Sequence, residues 1–292
     1  QALWHKHGPS VPGRSLSLPS SSISVQAFLC SRMALASPKA LQRLQAVLDR
    51  FEITIAEAND LVALQDYHIA IVADDSGSMQ NPSEPPQEQR LGQPSRSRWA
   101  ELTETIAEIV EIATCFSTEG INVHFLNRQP VLQVKAAADP RLVHSFLSVP
   151  QGGTPLTETI QRVASSMKGE HPTLLFIFTD GEPNGGREPL RKALRNLVKE
   201  SNVRVQIMAC TADESVMDWL GDIDCEFNEV DVTDDFHSER QEVLRAGLAP
   251  RFTRGDWCMK AMLGPVCLKY DLWDEQLKRS KTPDCCLACS IM

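Results

Sequence analysis

The chain has 292 residues, with 29 Lys+Arg against 38 Asp+Glu and a formal net charge of −9. An apolar share of 42% and a charged share of 23% are ordinary for a globular protein, while the acidic balance argues against a general nucleic-acid binder, which shows a basic face. No apolar run reaches the ~18–20 residues that span a bilayer, and the opening lacks a signal-peptide core, so a cytoplasmic chain is expected.

Residues 1–37 are rich in Ser and Pro and show no period, so they are expected to be disordered, with Met33 a candidate start. Residues 38–51 put Leu41, Leu44, Val47 and Leu48 on one helical face, and residues 55–64 have room for another turn or two. Together they make 38–65 a short helical lead-in. Residues 67–73 form an almost continuous apolar run, the look of a central parallel strand. Residues 99–116 are an amphipathic helix. Residues 121–126 and 131–134 read as strands paired across a turn at Arg128-Gln129-Pro130. Helices are expected at 141–147 and 156–167, a second fully buried strand at 173–178, a helix at 188–199 and a strand at 203–209. Thr211 and Glu214 have capping-box spacing for the next helix. A last strand at 227–232 and a helix at 234–248 follow. This alternation predicts an α/β fold over 66–247: a doubly wound, mostly parallel sheet flanked by helices. A helical extension at 248–281, broken at Gly264-Pro265, leads to a Cys-rich tail at 282–292.

Open α/β sheets bind ligands beyond the carboxyl ends of their strands. After the first buried strand comes Asp74-Asp75-Ser76-Gly77-Ser78-Met79, and after the second comes Thr179-Asp180-Gly181-Glu182. Between them, before a helix, stands Gly152-Gly153-Thr154-Pro155. These loops carry carboxylates and hydroxyls without imidazole or thiolate, a donor set for a hard cation. Few carboxylates with several hydroxyls suit Mg²⁺, with Mn²⁺ as its substitute. Helix caps would account for one such loop, not for three in step.

Asp74-x-Ser76-x-Ser78 matches the D-x-S-x-S signature of von Willebrand factor type A domains, the metal-ion-dependent adhesion site. Thr154 in Gly-Gly-Thr-Pro and Asp180 in Thr-Asp-Gly match that family's second and third metal loops, and the likeness covers about residues 66–247. The chain resembles the intracellular, single-domain members. The resemblance implies that Ser76 and Ser78 give hydroxyl oxygens to the metal, that Asp74 anchors the site and that Asp180 stands behind the ligands. It also implies that Thr154 ligates when a partner is bound. A partner protein's Asp or Glu carboxylate would fill the open position, without turnover. Asp75 is expected to point away from the ion.

Two other readings stand beside this one. An Mg²⁺-dependent phosphohydrolase or phosphotransferase would use Asp74, Asp75 and Asp180, but the loops carry no Lys to balance a phosphate, and Arg187 and Arg191 read as a solvated helix face. A metal-independent scaffold would use the helical faces instead. The Pro/Ser/Gln-rich insert at 80–98 reads as disordered, with a partner-contacting or autoinhibitory flap as the alternative, Glu84 or Glu88 then being an internal ligand.

Of nine cysteines, Cys115 and Cys210 lie in apolar stretches and read as small buried hydrophobes, and reduced thiols are expected. The end Cys289-Ser290-Ile291-Met292 fits C-a-a-X, a prenylation candidate, with Cys285 and Cys286 as palmitate sites and Lys278, Arg279 and Lys281 as a basic cluster. Such a tail would attach the chain peripherally to a membrane, since two signals are needed for a stable anchor.

Overall fold

Six strands build one sheet: β1 (His68–Ala73), β2 (Ile121–Phe125), β3 (Val131–Val134), β4 (Thr173–Thr179), β5 (Val203–Ala209) and β6 (Val230–Thr233), in the order β3-β2-β1-β4-β5-β6. The computed structural model describes residues 38–83, 95–117, 119–167, 171–211, 213–245, 247, 249–267 and 269–270. The segment 1–37, most of the insert with Glu84 and Glu88, and the tail with Cys285, Cys286 and Cys289 lie outside the described residues. Every neighbouring pair is parallel except β2–β3. The sheet is therefore the mostly parallel, doubly wound one expected, and its order reverses between β1 and β4.

The apolar runs follow from burial on both faces. In β1, Ile69, Ile71 and Ala73 join one core cluster, and Ala70 and Val72 join the other. The first cluster is covered by α1 (Pro38–Phe51), α2 (Ile55–Leu61), α3 (Arg98–Ala113) and, later in the chain, α9 (Arg254–Leu263). The second is covered by α5 (Leu156–Ser166), α6 (Arg187–Glu200) and α7 (Glu214–Glu226), while α4 (Pro140–Leu147) packs beside β3 and α8 (Phe236–Arg245) beside α9. Among the described residues no helix is long and apolar enough to cross a membrane.

The helix ends show how local chemistry sets the boundaries. Thr54 and Glu57 form a reciprocal capping box at α2, as do Thr253 and Asp256 at α9. The helix after Thr211 starts later than the capping-box spacing predicts. The Thr211 hydroxyl accepts from Asp213 N–H at 3.2 Å, the Asp213 carbonyl takes the first helical bonds, and α7 starts at Glu214. Phe227, expected in the last strand, still donates to Ile223 O at 3.2 Å, so β6 begins only at Val230. The helical pattern after residue 247 is integral to the core: Gly255 and Trp257 to Leu263 are buried, and the turn at Gly264-Pro265 falls where the sequence breaks. Lys260, fully buried, pairs with Glu239 at 2.8 Å.

Candidate functional site

The site lies at the carboxyl ends of β1 and β4, where the strand order reverses. Parallel pairing brings Ala73 beside Phe178, so the loops leaving both strands start level with each other. Asp74 N–H donates to Phe178 O at 3.0 Å and continues that ladder by one step. The Asp74 carboxylate then turns the first loop by accepting from Ser76 N–H at 2.9 Å, and a short 3₁₀ turn follows at Gly77–Gln80.

The second loop is fastened to the first by its backbone. Gln151 N–H donates to Asp75 O at 2.8 Å and Gly77 N–H donates to Gly152 O at 3.0 Å. Gly152 has φ of +103°, and a Cβ there would stand 2.6 Å from Asn127 Oδ1, so glycine is required twice over. Thr154 is fixed from the third loop: its N–H donates to Asn184 Oδ1 at 3.2 Å, and its carbonyl accepts from Asn184 N–H at 2.8 Å.

The side chains form two sets of hydrogen bonds, joined where the Asp74 carboxylate accepts from Ser76 N–H. Ser76 Oγ and Ser78 Oγ are 3.0 Å apart, Ser78 Oγ donates to Asp180 Oδ1 at 2.8 Å, and Thr179 Oγ1 donates to Asp74 Oδ2 at 2.9 Å. The structure thus gathers Asp74, Ser76, Ser78 and Asp180 in one series of neighbours, with Thr154 joined through the backbone of the same loops. Cys285, Cys286 and Cys289 lie outside the described residues.

Asp75 faces the opposite way, as expected. Its Oδ1 accepts from Asn127 N–H at 2.8 Å, and Arg128 Nε lies 3.0 Å from its Oδ2, an ion pair in distance without an aligned hydrogen bond. Arg128 also donates to Val149 O at 2.7 Å and lies over the Trp99 ring, so one guanidinium gathers three segments around the first loop.

The second arginine is in the site itself. Arg98 Nη1 donates to Asp180 Oδ2 at 2.8 Å, with the Asp180 side chain fully buried. The stem of the insert delivers it: Ser83 N–H donates to Arg96 O and Arg98 N–H to Asn81 O, both at 2.9 Å. Reading the loops alone misses Arg98 and Arg128. One signal was present for Arg98, which opens α3 although a helix N-terminus disfavours a cation. Arg187, by contrast, pairs with Glu182, and Arg191 lies among Glu188, Asp222 and Glu226, the helix-face role expected of them.

The electrostatics are those of a site short of positive charge. Asp74 is completely buried and meets no cationic side chain among the described residues. Burial, with the nearby Asp180 charge adding to it, pushes its carboxyl up to about 6, even though Ser76 and Thr179 hydrogen-bond the ionised form. Behind the site, burial and the Asp180 and Asp74 charges raise the Cys210 thiol well above its usual range. Among the described residues no group of three or more His, Cys, Asp or Glu side chains is placed to hold a metal ion. The set here has two carboxylates, its other donors being hydroxyls. A buried carboxylate without a counter-charge, beside hydroxyls whose lone pairs are available while they donate, fits a hard divalent cation.

No family model matches the chain, and no curated protein matches it. Among solved structures it is similar to proximal thread matrix protein 1 from the mussel byssus, at 17% identity over 62% of this chain and 46% of that one, with a TM-score of 0.38. It is also similar to the manganese-loaded TRAP protein of Plasmodium vivax, at 13% identity over 60% of this chain and 71% of that one, with a TM-score of 0.37. The chain spans less than half the length of the first of these. Likenesses this weak carry no argument about ligand or role.

Proposed function

We propose that the chain is a protein-interaction module of the von Willebrand factor A type, which binds a partner's Asp or Glu carboxylate through Mg²⁺ or Mn²⁺. The observation that carries this reading is the convergence of Asp74, Ser76, Ser78 and Asp180 at the sheet's switch point, around a carboxylate that lacks a counter-charge. Ser76, Ser78 and Thr154 would give oxygens to the ion, Asp74 would anchor it, and Asp180 would hold the Ser78 hydroxyl in place. The ion supplies a charged bridge to a carboxylate. The chain itself orients the hydroxyls and keeps water out from below, since Asp74 is closed off by β1 and β4.

The role is binding without turnover. The three loops carry no Lys to balance a phosphate, as a phosphoryl-transfer site would want. Membrane attachment through a lipidated Cys289, with Cys285 and Cys286 as second signals, belongs to the same proposal. Intact mass of the native protein tests that part: Cys289 unmodified with Ser-Ile-Met retained would end it.

Isothermal titration of the full chain with Mg²⁺ and Mn²⁺, followed by an array of Asp- and Glu-containing peptides with and without EDTA, tests the core of the reading. Metal-dependent peptide binding lost in Asp74→Ala and Ser76→Ala is expected. Binding that survives EDTA and both substitutions, or steady phosphate release from generic phosphoesters, would overturn it.

A further inference from the structure

We propose that Arg98 is a tethered counter-cation that competes with the divalent ion for Asp180, so that ion uptake releases the arginine and with it the stem of the insert. The inference rests on the metal reading above and concerns this chain's own means of controlling it.

Four observations carry it. First, the arginine holds the group an ion would draw on: Arg98 Nη1 is 2.8 Å from Asp180 Oδ2, and the other Asp180 oxygen accepts from Ser78 Oγ at 2.8 Å. Arg98 thus ends the same hydrogen-bonded series that begins at Ser76. Second, the charges favour exchange. Of the two buried carboxylates, Asp180 is paired with one guanidinium and Asp74 with none, which leaves one negative charge over. A divalent ion arriving while the guanidinium stays would leave an excess of positive charge at close range, which is unfavourable in a poorly solvated site. Third, the arginine's position is poorly paired. Its Nε is buried without an acceptor, and it stands at the first residue of α3, where the helix dipole opposes a cation. Fourth, its movement has somewhere to go. Arg98 N–H is bonded to Asn81 O, Pro82 bridges Ser97, and Ser83 N–H is bonded to Arg96 O, so the arginine is the last residue of the ladder that closes the insert.

Displacement of Arg98 from Asp180 would therefore be felt at the stem formed by residues 81–83 and 96–98, beside the face where a partner carboxylate would approach. The guanidinium neutralises Asp180 in the metal-free chain, sets how much free ion is needed to load the site, and gives the loaded and unloaded states different stems.

The test uses the full chain with Mn²⁺ as the probe. Calorimetry compares the wild type with Arg98→Met. In parallel, the rate at which p-hydroxyphenylglyoxal modifies Arg98 in the wild type is followed by peptide mass mapping, with and without saturating Mn²⁺. Expected are Mn²⁺ binding to Arg98→Met tighter by about tenfold or more, as removal of a nearby like charge implies, and several-fold faster modification of wild-type Arg98 once Mn²⁺ is bound. Uptake by Arg98→Met alone would support the inference as well. Equal or weaker affinity in a folded Arg98→Met, or a modification rate that Mn²⁺ leaves unchanged, would overturn it while wild-type uptake kept the metal reading standing. No Mn²⁺ uptake by either chain would remove both. Should Arg98→Met not fold, the modification rate in the wild type decides.

Discussion

Ser78 Oγ donates to Asp180 Oδ1 at 2.8 Å, across 102 residues of sequence. The bond joins the loop after β1 to the loop after β4, and Thr179 returns it by donating to Asp74 at 2.9 Å. These reciprocal links hold two carboxylates close together while one guanidinium, that of Arg98, pairs with Asp180 alone, and the consequences of that imbalance can be measured.

Asp74 is fully buried as a carboxylate whose pKa rises from 3.8 to about 6, so in the metal-free chain its charge is a burden at neutral pH. Asp74→Asn should therefore stabilise the metal-free protein by up to about 3 kcal/mol at pH 7, taking about 1.4 kcal/mol for each pKa unit. The same substitution should abolish the effect of Mg²⁺. In the wild type, on the proposed metal reading, Mg²⁺ at about 100 times its dissociation constant should add about 2.7 kcal/mol and so raise Tm by about 5–10 °C. Thermal melts of both chains with and without Mg²⁺ check this. A variant that is less stable without metal, yet still gains from Mg²⁺, would contradict both halves.

Arg128→Met should be strongly destabilising, because it strands Asp75. That carboxylate is fully buried, and Arg128 is its cationic partner, with the guanidinium also donating to Val149 O and lying over Trp99. Removing one partner of a buried pair costs about 3–5 kcal/mol, against about 0–1 kcal/mol for an exposed one. Urea denaturation should show the larger figure. Asp75→Asn combined with Arg128→Met should recover part of the loss, since no buried charge is then left alone.

Much of this was legible before the structure, and for reasons that differ by element. Residues 67–73 and 173–178 announced central strands because a parallel strand covered on both faces must be apolar throughout. The three loops were legible because each directly follows a buried strand or precedes a helix, which fixes them to one edge of the sheet. Asp75 was expected to turn away from the site and does, toward Asn127 and Arg128. The arginines were not legible in this way. Arg98 reaches Asp180 across 82 residues and Arg128 crosses to Asp75 from another loop, and no local period encodes either contact. At Thr211 the spacing did not place the helix start: the hydroxyl accepts from the nearer Asp213 N–H and the helix begins at Glu214.

His124 makes acid stability testable. It lies half-buried on β2, and burial, with the nearby Arg162 charge adding to it, holds its imidazole below the usual value of 6.5. The unfolded chain then binds a proton near pH 6.5 that the folded chain refuses, so His124 lowers stability as pH drops below that point, while the raised Asp74 carboxyl acts the other way near pH 6. His124→Gln should therefore make the chain more stable than the wild type at pH 5 while leaving stability at pH 8 nearly unchanged. Unfolding free energies measured between pH 8 and pH 5 check the slope. An unchanged slope would mean that His124 does not contribute.

Gly255→Ala tests whether the lead-in and α9 hold each other in place. A Cβ on Gly255 would stand 1.9 Å from the carbonyl oxygen of Phe51, the last residue of α1, and 3.4 Å from the Ile53 side chain. The close contact is with backbone, so no side-chain rotation relieves it; α1 or α9 must move. Both sit in the cluster covering Ile69, Ile71 and Ala73, through Leu44, Val47, Leu48 and Phe51 on one side and Trp257, Met259 and Met262 on the other. Overpacking of this kind costs about 1–3 kcal/mol where the surroundings can yield, and more where they cannot. The loss should therefore reach the upper end of that range, with limited proteolysis cutting the chain between residues 50 and 60 well before the strands. Gly181→Ala is the matched control, since nothing lies within 4 Å of the Cβ it would add, and it should leave both stability and cleavage unchanged. If the two substitutions behave alike, α1 is not held by α9 at this contact.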